Sequence, residues 1–178
     1  MARLIGLVRG INVGGSNVVK MADLRAFLEH IGANDPKTLH QSGNFTFEAG
    51  KRSAKEWQAL LGEEAPGHLG LNVVWYVRTG ADWARLLAEN PFQEQAVNDP
   101  RLLHAIFFDK VPTAKSVSDL EYSGPEQIAV GKQALYVTYP EGAGRSRLSA
   151  SSGWKKLTAT GTARNWNTVL KLHDLVSD

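Results

Sequence analysis

Strand-like and helix-like patterns of hydrophobic residues follow one another along this chain, and their order constrains its fold more than any other feature of the sequence. Residues 4–8 form a short apolar run, which predicts a buried strand. Residues 21–31 carry apolar side chains at helical spacing, which predicts an amphipathic helix. Residues 38–41 and 44–48 flank a Ser-Gly pair and alternate in polarity, which predicts a hairpin.

A second helix and a fourth strand complete this first pattern. Ser53 and Glu56 have the spacing of a capping box, and we expect the helix behind them to end before Pro66. Residues 71–77 are rich in valine and aromatic side chains, which predicts a strand. The order strand, helix, strand, strand, helix, strand is that of a ferredoxin-like plait, which we assign to residues 1–78.

The second half, residues 79–178, repeats much of this order. Thr79 and Asp82 predict the cap of a helix. An Asn-Pro pair at residues 90–91 and an Asp-Pro pair at residues 99–100 bracket a loop before the apolar strand at residues 102–108. The later elements are a helix at residues 113–120, strands at 127–130 and 134–139, and a last helix from Asn165. Residues 157–160 are the only candidate for a closing strand. We therefore predict an α+β fold of two ferredoxin-like halves packed together, the second incomplete or irregular.

Composition excludes several classes of function. The 178 residues include 20 Lys and Arg against 18 Asp and Glu, a net charge of +2, which is small for a protein that neutralises many phosphates of a duplex. The absence of cysteine excludes disulfides, thiolate metal sites and cysteine nucleophiles, and it fits a reducing cytoplasm. The five histidines have no metal-ligand spacing, and the N-terminal apolar run is too short for a signal peptide or a membrane span.

A glycine-rich polar loop follows the first strand. Gly10 and Gly15 stand at the spacing of a phosphate-binding loop, but Ser16 replaces the lysine that such a loop needs, so a nucleoside triphosphatase is a poor interpretation. A nest of backbone amides beside Arg9 and Lys20 remains a candidate site for one phosphate or carboxylate. The alternative is a structural turn, in which the glycines only reverse the chain.

Two polar segments of the second half carry further arginines. Residues 162–168 contain Arg164, Asn165 and Asn167. A helix cap at Thr162 or Asn165 and core packing explain part of this motif, and a hydrogen-bonding role for Arg164 and Asn167 remains open. Residues 142–147 form a flexible basic loop with Arg145, which is either a solvated turn or part of a binding site. The sharpest prediction is a cationic pocket in which Arg9, Arg145 and Arg164 converge.

A series of short motifs carries a family resemblance. They read LVRGINVGG, MADL, QSGN, NPF, TARNWNTV and KL, and lie in this order between residues 7 and 172. By this series the chain resembles the bacterial domain-of-unknown-function family 1697. The resemblance implies two plait-like halves, an uncharacterised activity and no cofactor. Many members have lysine where this chain has Ser16 and an apolar residue where it has His40, which argues against His40 as a shared catalytic base.

These observations lead to one preferred function and one alternative. We expect a cytoplasmic protein that binds a small anionic ligand; whether it is an enzyme, and in what oligomeric state, the sequence leaves open. The predicted ligand-binding residues are Arg9, Gly10, Asn12, Gly14, Gly15, Ser42, Asn44, Arg145, Arg164, Asn165 and Asn167. The alternative is an RNA- or protein-interaction module, because plait sheets can stack bases on aromatic side chains. Phe45 and Phe47 fit a helix-covered core better than such an open surface.

Overall fold

The first half of the chain forms a complete four-stranded plait. The structure is a computed structural model that describes residues 2–177. Its first elements are β1 (Arg3–Val8), α1 (Met21–His30), β2 (Asn34–Leu39), β3 (Asn44–Glu48), α2 (Ala54–Leu69) and β4 (Trp75–Thr79). The strands pair antiparallel in the order β2-β3-β1-β4, with β1 at the centre between β3 and β4. This is the predicted ferredoxin-like arrangement.

The second half has the same strand order with shorter helices. Its elements are α3 (Gly80–Ala88), α4 (Gln93–Asn98), β5 (Leu103–Phe107), α5 (Ala114–Ser118), β6 (Ile128–Val130), β7 (Ala134–Thr138), α6 (Arg147–Ala150), α7 (Ser152–Leu157), β8 (Thr162–Asn165) and α8 (Trp166–Asp174). A 3-10 turn at Pro100–Leu102 precedes β5. The sheet order is β6-β7-β5-β8, again antiparallel. The predicted α+β fold with two plait-like halves is confirmed.

The chain divides into two compact units, each with one sheet. The first runs to Trp83 and also includes the C-terminal segment from Leu172, and the second is Ala84–Lys171. The boundary between the predicted domains, residues 1–78 and 79–178, lies a few residues before the division between these units. The predicted domains also assign the whole of α8 to the second half, whereas the C-terminal part of this helix belongs to the first unit.

Aromatic side chains fill the core between the first sheet and its two helices. Phe45 and Phe47 are fully buried, stack on each other at 5.8 Å between ring centroids, and contact Trp75 and Trp57 respectively. The Trp57 Nε1 atom donates to the Ala49 carbonyl at 2.8 Å, so its polar group is satisfied within the core. The prediction that Phe45 and Phe47 are core residues is confirmed, and neither ring lies on an open sheet surface.

Helix α2 continues through Pro66, so the prediction that it ends before this proline is wrong. The proline lies in the last turn with its ring exposed, where it removes a single backbone donor. Leu61 and Ala65, on the turns before the proline, are buried against the core, and Gly70 closes the helix in the left-handed conformation. Burial and the glycine cap therefore outweigh the cost of the proline.

The second sheet is closed by β8, so the candidate position of the closing strand at residues 157–160 is wrong. β8 pairs antiparallel with β5 over four residues, whereas Leu157 is the last residue of α7. Thr162 and Arg164 are the buried positions of β8, and Ala163 between them is exposed. Because the inward side chains of this strand are polar, its hydrophobic pattern does not indicate a strand.

Residues between Pro91 and Pro100 were expected to form a loop, but Gln93–Asn98 is helical. All residues of α4 are half-buried or exposed. The segment therefore lacks the apolar stripe by which an amphipathic helix is recognised in a sequence. Its backbone fold depends instead on local contacts around Asn90 and Asp99.

Substitution at Gly6 tests the packing of the first sheet. The Phe45 ring occupies the space that a Cβ atom on Gly6 would need. Gly6→Ala should lower the free energy of unfolding by about 1–3 kcal/mol, because the ring must move within a packed core. Gly62→Ala in α2 is the matched control: apart from its chain neighbours and the backbone of its own helix, no described atom lies within 4 Å of its Cβ position. This substitution should stabilise by about 0.5–1 kcal/mol. Urea denaturation measures both, and wild-type stability of Gly6→Ala would contradict this packing.

Candidate functional site

The side chain of Asn12 fixes the glycine loop, which comprises residues 9–20 after β1. Its Nδ2 atom donates to the carbonyl oxygens of Val19 at 2.9 Å and Gln41 at 2.8 Å, and its Oδ1 atom accepts from the Val19 amide at 2.8 Å. These three bonds tie the two ends of the loop to each other and to the β2–β3 connection. Asn12 was predicted as a ligand-binding residue, and its amide is used here to hold the backbone.

Left-handed backbone conformations shape this loop. Five of its residues have positive φ: Gly10 (68°), Asn12 (55°), Gly14 (59°), Gly15 (79°) and Asn17 (50°). Gly14 and Gly15 are the central residues of a tight turn closed by the Ser16 amide, which donates to the Val13 carbonyl at 3.1 Å. No described atom lies within 4 Å of the positions that Cβ atoms of Gly10, Gly14 or Gly15 would take. These glycines therefore present backbone directly to open space.

The β2–β3 connection lies against the glycine loop. The Val8 amide donates to the Gly43 carbonyl at 2.8 Å. Asn44 is fully buried, and its Nδ2 atom donates to the Leu39 carbonyl at 3.1 Å and to Ser42 Oγ at 2.8 Å. The structure thus brings the predicted residues of the first half together at one end of the first sheet, with Asn44 in an internal role and Ser42 exposed.

Two exposed cations and a helix N-terminus frame the glycine loop. Arg9 is exposed, and its amide donates to the Val74 carbonyl at 2.9 Å. Lys20 is the N-cap residue of α1, and within the described chain its side chain makes no capping hydrogen bond. The first N–H groups of a helix have no partner inside the helix and carry partial positive charge. The Asp23 carboxylate lies in the same first turn and offsets part of that charge.

Two of the predicted residues of the C-terminal motif, Arg164 and Asn165, have internal roles. Arg164 is only 8% exposed, and its Nη1 atom donates to Thr162 Oγ1 at 2.7 Å and to the Ala163 carbonyl at 2.8 Å. Burial lowers the pKa of Arg164 to about 10, which still leaves the guanidinium charged at neutral pH. Asn165 Oδ1 accepts from the Thr168 amide at 3.0 Å, so the predicted cap of the last helix is confirmed.

The remaining predicted residues of the second half lie on accessible positions. Arg145 is exposed in a turn where its amide donates to the Gly142 carbonyl at 3.1 Å, and Gly142 has a φ of 86°. Asn167 is half-buried in the first turn of α8. The convergence of Arg9, Arg145 and Arg164 in one pocket stays a prediction.

A polar cluster in the second unit had no signal in the sequence. Glu126 accepts hydrogen bonds from the Tyr122 hydroxyl and from Ser146 Oγ, and Ser146 also caps α6 by accepting from the Ser149 amide at 3.2 Å. Burial raises the pKa of Glu126, but the bonds from Ser146 and Tyr122 outweigh it and the net pKa is lowered. The three side chains come from two loops without periodicity, so only the fold brings them together.

His104 is a half-buried residue of β5. Its ring packs edge-on against Tyr139 at 5.0 Å between centroids, and burial lowers the pKa of its imidazole. Across residues 2–177, no three His, Asp or Glu side chains come together in a metal-binding group. The same part of the chain contains no helix with the length and apolar character needed to cross a membrane.

Comparison with known proteins gives a family match and a common fold. The family model described as "Protein of unknown function (DUF1697)" matches residues 1–136, a range that includes the glycine loop and ends before the C-terminal motif. The conserved bacterial protein SP0830 from Streptococcus pneumoniae has a similar structure: the TM-score is 0.79, the sequence identity 24%, and the alignment covers 99% of each chain. At this identity the likeness shows the fold alone. No curated protein matches the chain.

Replacement of Asn12 tests its role in the loop. Asn12→Asp keeps the acceptor for the Val19 amide and removes both donations to backbone carbonyls. We expect the free energy of unfolding to fall by about 1–3 kcal/mol, because a carboxylate would then face two carbonyl oxygens. Urea denaturation near neutral pH measures the loss. A change below about 0.5 kcal/mol would show that the loop does not depend on these bonds.

His104 should make stability depend on pH. Because burial lowers its pKa below the ordinary value of 6.5, the unfolded chain binds the proton at a higher pH than the folded chain. Unfolding then takes up a proton below about pH 6.5, so the free energy of unfolding decreases as the pH falls. His104→Gln removes this contribution and should lose less stability between about pH 7.5 and about pH 5.5. Parallel profiles of the two proteins in urea denaturation would rule out the effect.

Proposed function

Since the chain belongs to the DUF1697 family, whose description assigns no activity, we propose a function from its own residues. The protein binds a small anion, a phosphate or carboxylate group of a metabolite, at the glycine loop and the N-terminus of α1. A cytoplasmic location is part of this proposal. The proposal depends on this site and not on the other predicted ligand-binding residues, which include Arg145, Arg164 and Asn167.

One observation carries the proposal: the glycine loop leads directly into a helix whose N-terminus has no side-chain cap within the described chain. The first hydrogen bond of α1 runs from the Leu24 amide to the Lys20 carbonyl at 3.0 Å. The amides of residues 21–23 come before this bond and have no acceptor within the helix. An anion at this point receives backbone N–H donors and the favourable end of the helix dipole, as in many phosphate sites.

The remaining residues of the loop support an anion in distinct ways. Gly10, Gly14 and Gly15 have no side chain that would keep an oxygen atom from the backbone. Arg9 and Lys20 supply positive charge, and an arginine can bind a phosphate or carboxylate through two parallel hydrogen bonds. The bonds of Asn12 hold this arrangement before any ligand arrives, which reduces the entropy that binding must overcome.

Protein interaction is the second candidate, and one observation favours it. Val13 and Val18, on the same loop, are 66% and 70% exposed. Two exposed valines on a rigid loop suit contact with an apolar surface of a partner. The buried positions of Phe45 and Phe47, by contrast, give no support to base stacking on the first sheet.

Thermal shift and calorimetric titration with inorganic phosphate, sugar phosphates and di- and tricarboxylates test the proposal. A compound that binds only the folded chain raises its melting temperature. Arg9→Ala and Lys20→Ala should each weaken binding about tenfold or more, since each removes a charged partner. Asp23→Asn should strengthen binding, because it removes a negative charge from the same helical turn.

Lys51→Ala provides the matched control. Lys51 is an exposed cation beyond the far end of β3 from the glycine loop, so its removal should leave binding unchanged. Equal losses in Lys51→Ala and Arg9→Ala would mean that only net charge matters, which would overturn the site.

A further inference from the structure

A cleft in the second unit is independent of the anion site. It has a volume of about 480 Å³, within the range of small-molecule sites, and lies between the 91–98 segment and the ends of β6 and β7. Its walls include the rings of Phe92 and three prolines, with amide side chains between them. Among the described residues that line it, Glu94 is the only charged one. The cleft is therefore suited to a ligand without negative charge.

Asn90 supports the segment that lines one side of this cleft, although it is not itself a lining residue. It is 3% exposed, its Oδ1 atom accepts from the Phe92 amide at 2.9 Å, and its carbonyl accepts from Gln93 Nε2 at 2.7 Å. These bonds form an Asx turn that presents Pro91 and Phe92 to the cleft. Asn90 Nδ2 is buried and has no hydrogen-bond partner among residues 2–177. A buried donor without a partner is rare in proteins, and this one lies in the turn that carries two lining residues of the cleft.

The amide side chains around the cleft offer both donors and acceptors, and two of them are held by hydrogen bonds. Gln93 and Gln95 donate through Nε2 to backbone carbonyls, at 2.7 and 2.8 Å, which orients their Oε1 atoms as acceptors. Gln127 is exposed at the cleft, and within the described chain only its backbone is hydrogen-bonded, to Thr138. A glutamine amide binds adjacent donor and acceptor atoms of a nucleobase through two hydrogen bonds.

We propose that this cleft binds the base of a nucleoside, with Phe92 stacking on the ring and Gln127 bonding to its edge. An aromatic side chain beside amides is the combination by which proteins recognise unstacked bases. Among the described residues, the lining holds one carboxylate and no cation, so the phosphate of a nucleotide would have no positively charged partner here. The nucleoside, and not the nucleotide, is the favoured form of the ligand.

Isothermal titration of the full chain with adenosine, guanosine, cytidine and uridine, and with their 5′-monophosphates, tests the inference. At least one nucleoside should bind, and its monophosphate should bind no more tightly. Phe92→Leu and Gln127→Met should each weaken binding at least about fivefold, in line with the loss of a stacked ring or an edge contact. Gln133→Met, outside the cleft lining, should leave binding unchanged.

Each contrary outcome identifies a different error. If none of the four nucleosides binds, or if Gln133→Met weakens binding as much as Gln127→Met, the cleft site is wrong. Tighter binding of monophosphates that is lost in Arg9→Ala would place the ligand at the glycine loop instead, which would overturn this inference and support the proposed function. Nucleoside binding that persists in Arg9→Ala supports the cleft whether or not the anion site exists.

Discussion

Each half of the molecule depends on a short central strand that is hydrogen-bonded along both of its edges. β1 pairs with β3 on one side and β4 on the other, and β5 pairs in the same way with β7 and β8. A strand in this position must satisfy all its backbone groups within the sheet, so neighbouring strands have to reach it from distant parts of the chain. The glycine loop begins where β1 ends, and the C-terminal motif supplies β8 itself.

The need to satisfy the backbone around the central strand accounts for many of the polar side chains in the two polar motifs, the glycine loop and residues 162–168. Asn12 holds the loop that leaves the central strand, Arg164 bonds within the edge strand, and Asn165 caps the helix that follows. Amide and guanidinium groups near ends of strands are often the partners that buried backbone requires. In the proposed anion site, the contacts to the ligand come from exposed charge and exposed backbone, at Arg9, Lys20 and the loop glycines.

The sequence predicted some features well because local chemistry decides them. The capping box of Ser53 and Glu56 and the cap of Thr79 and Asp82 form as expected, since each depends on residues three apart. The glycine loop and the β2–β3 connection were predicted as site segments from their turn residues. The contact between these segments through Asn12 and Gln41 could not be predicted from the sequence, because the two residues are 29 positions apart and no periodicity links them.

The hydrophobic pattern and the turn chemistry by themselves determined two plait-like halves, most strand positions, the helix caps and the buried character of Phe45 and Phe47. Only the tertiary structure decided that a polar segment is the last strand, that α2 passes through Pro66, and that amides between two prolines line a cleft. In each of these cases burial or pairing with distant residues outweighs the local preference. Local preferences are worth tenths of a kcal/mol to a few kcal/mol, and a packed neighbour can reverse them.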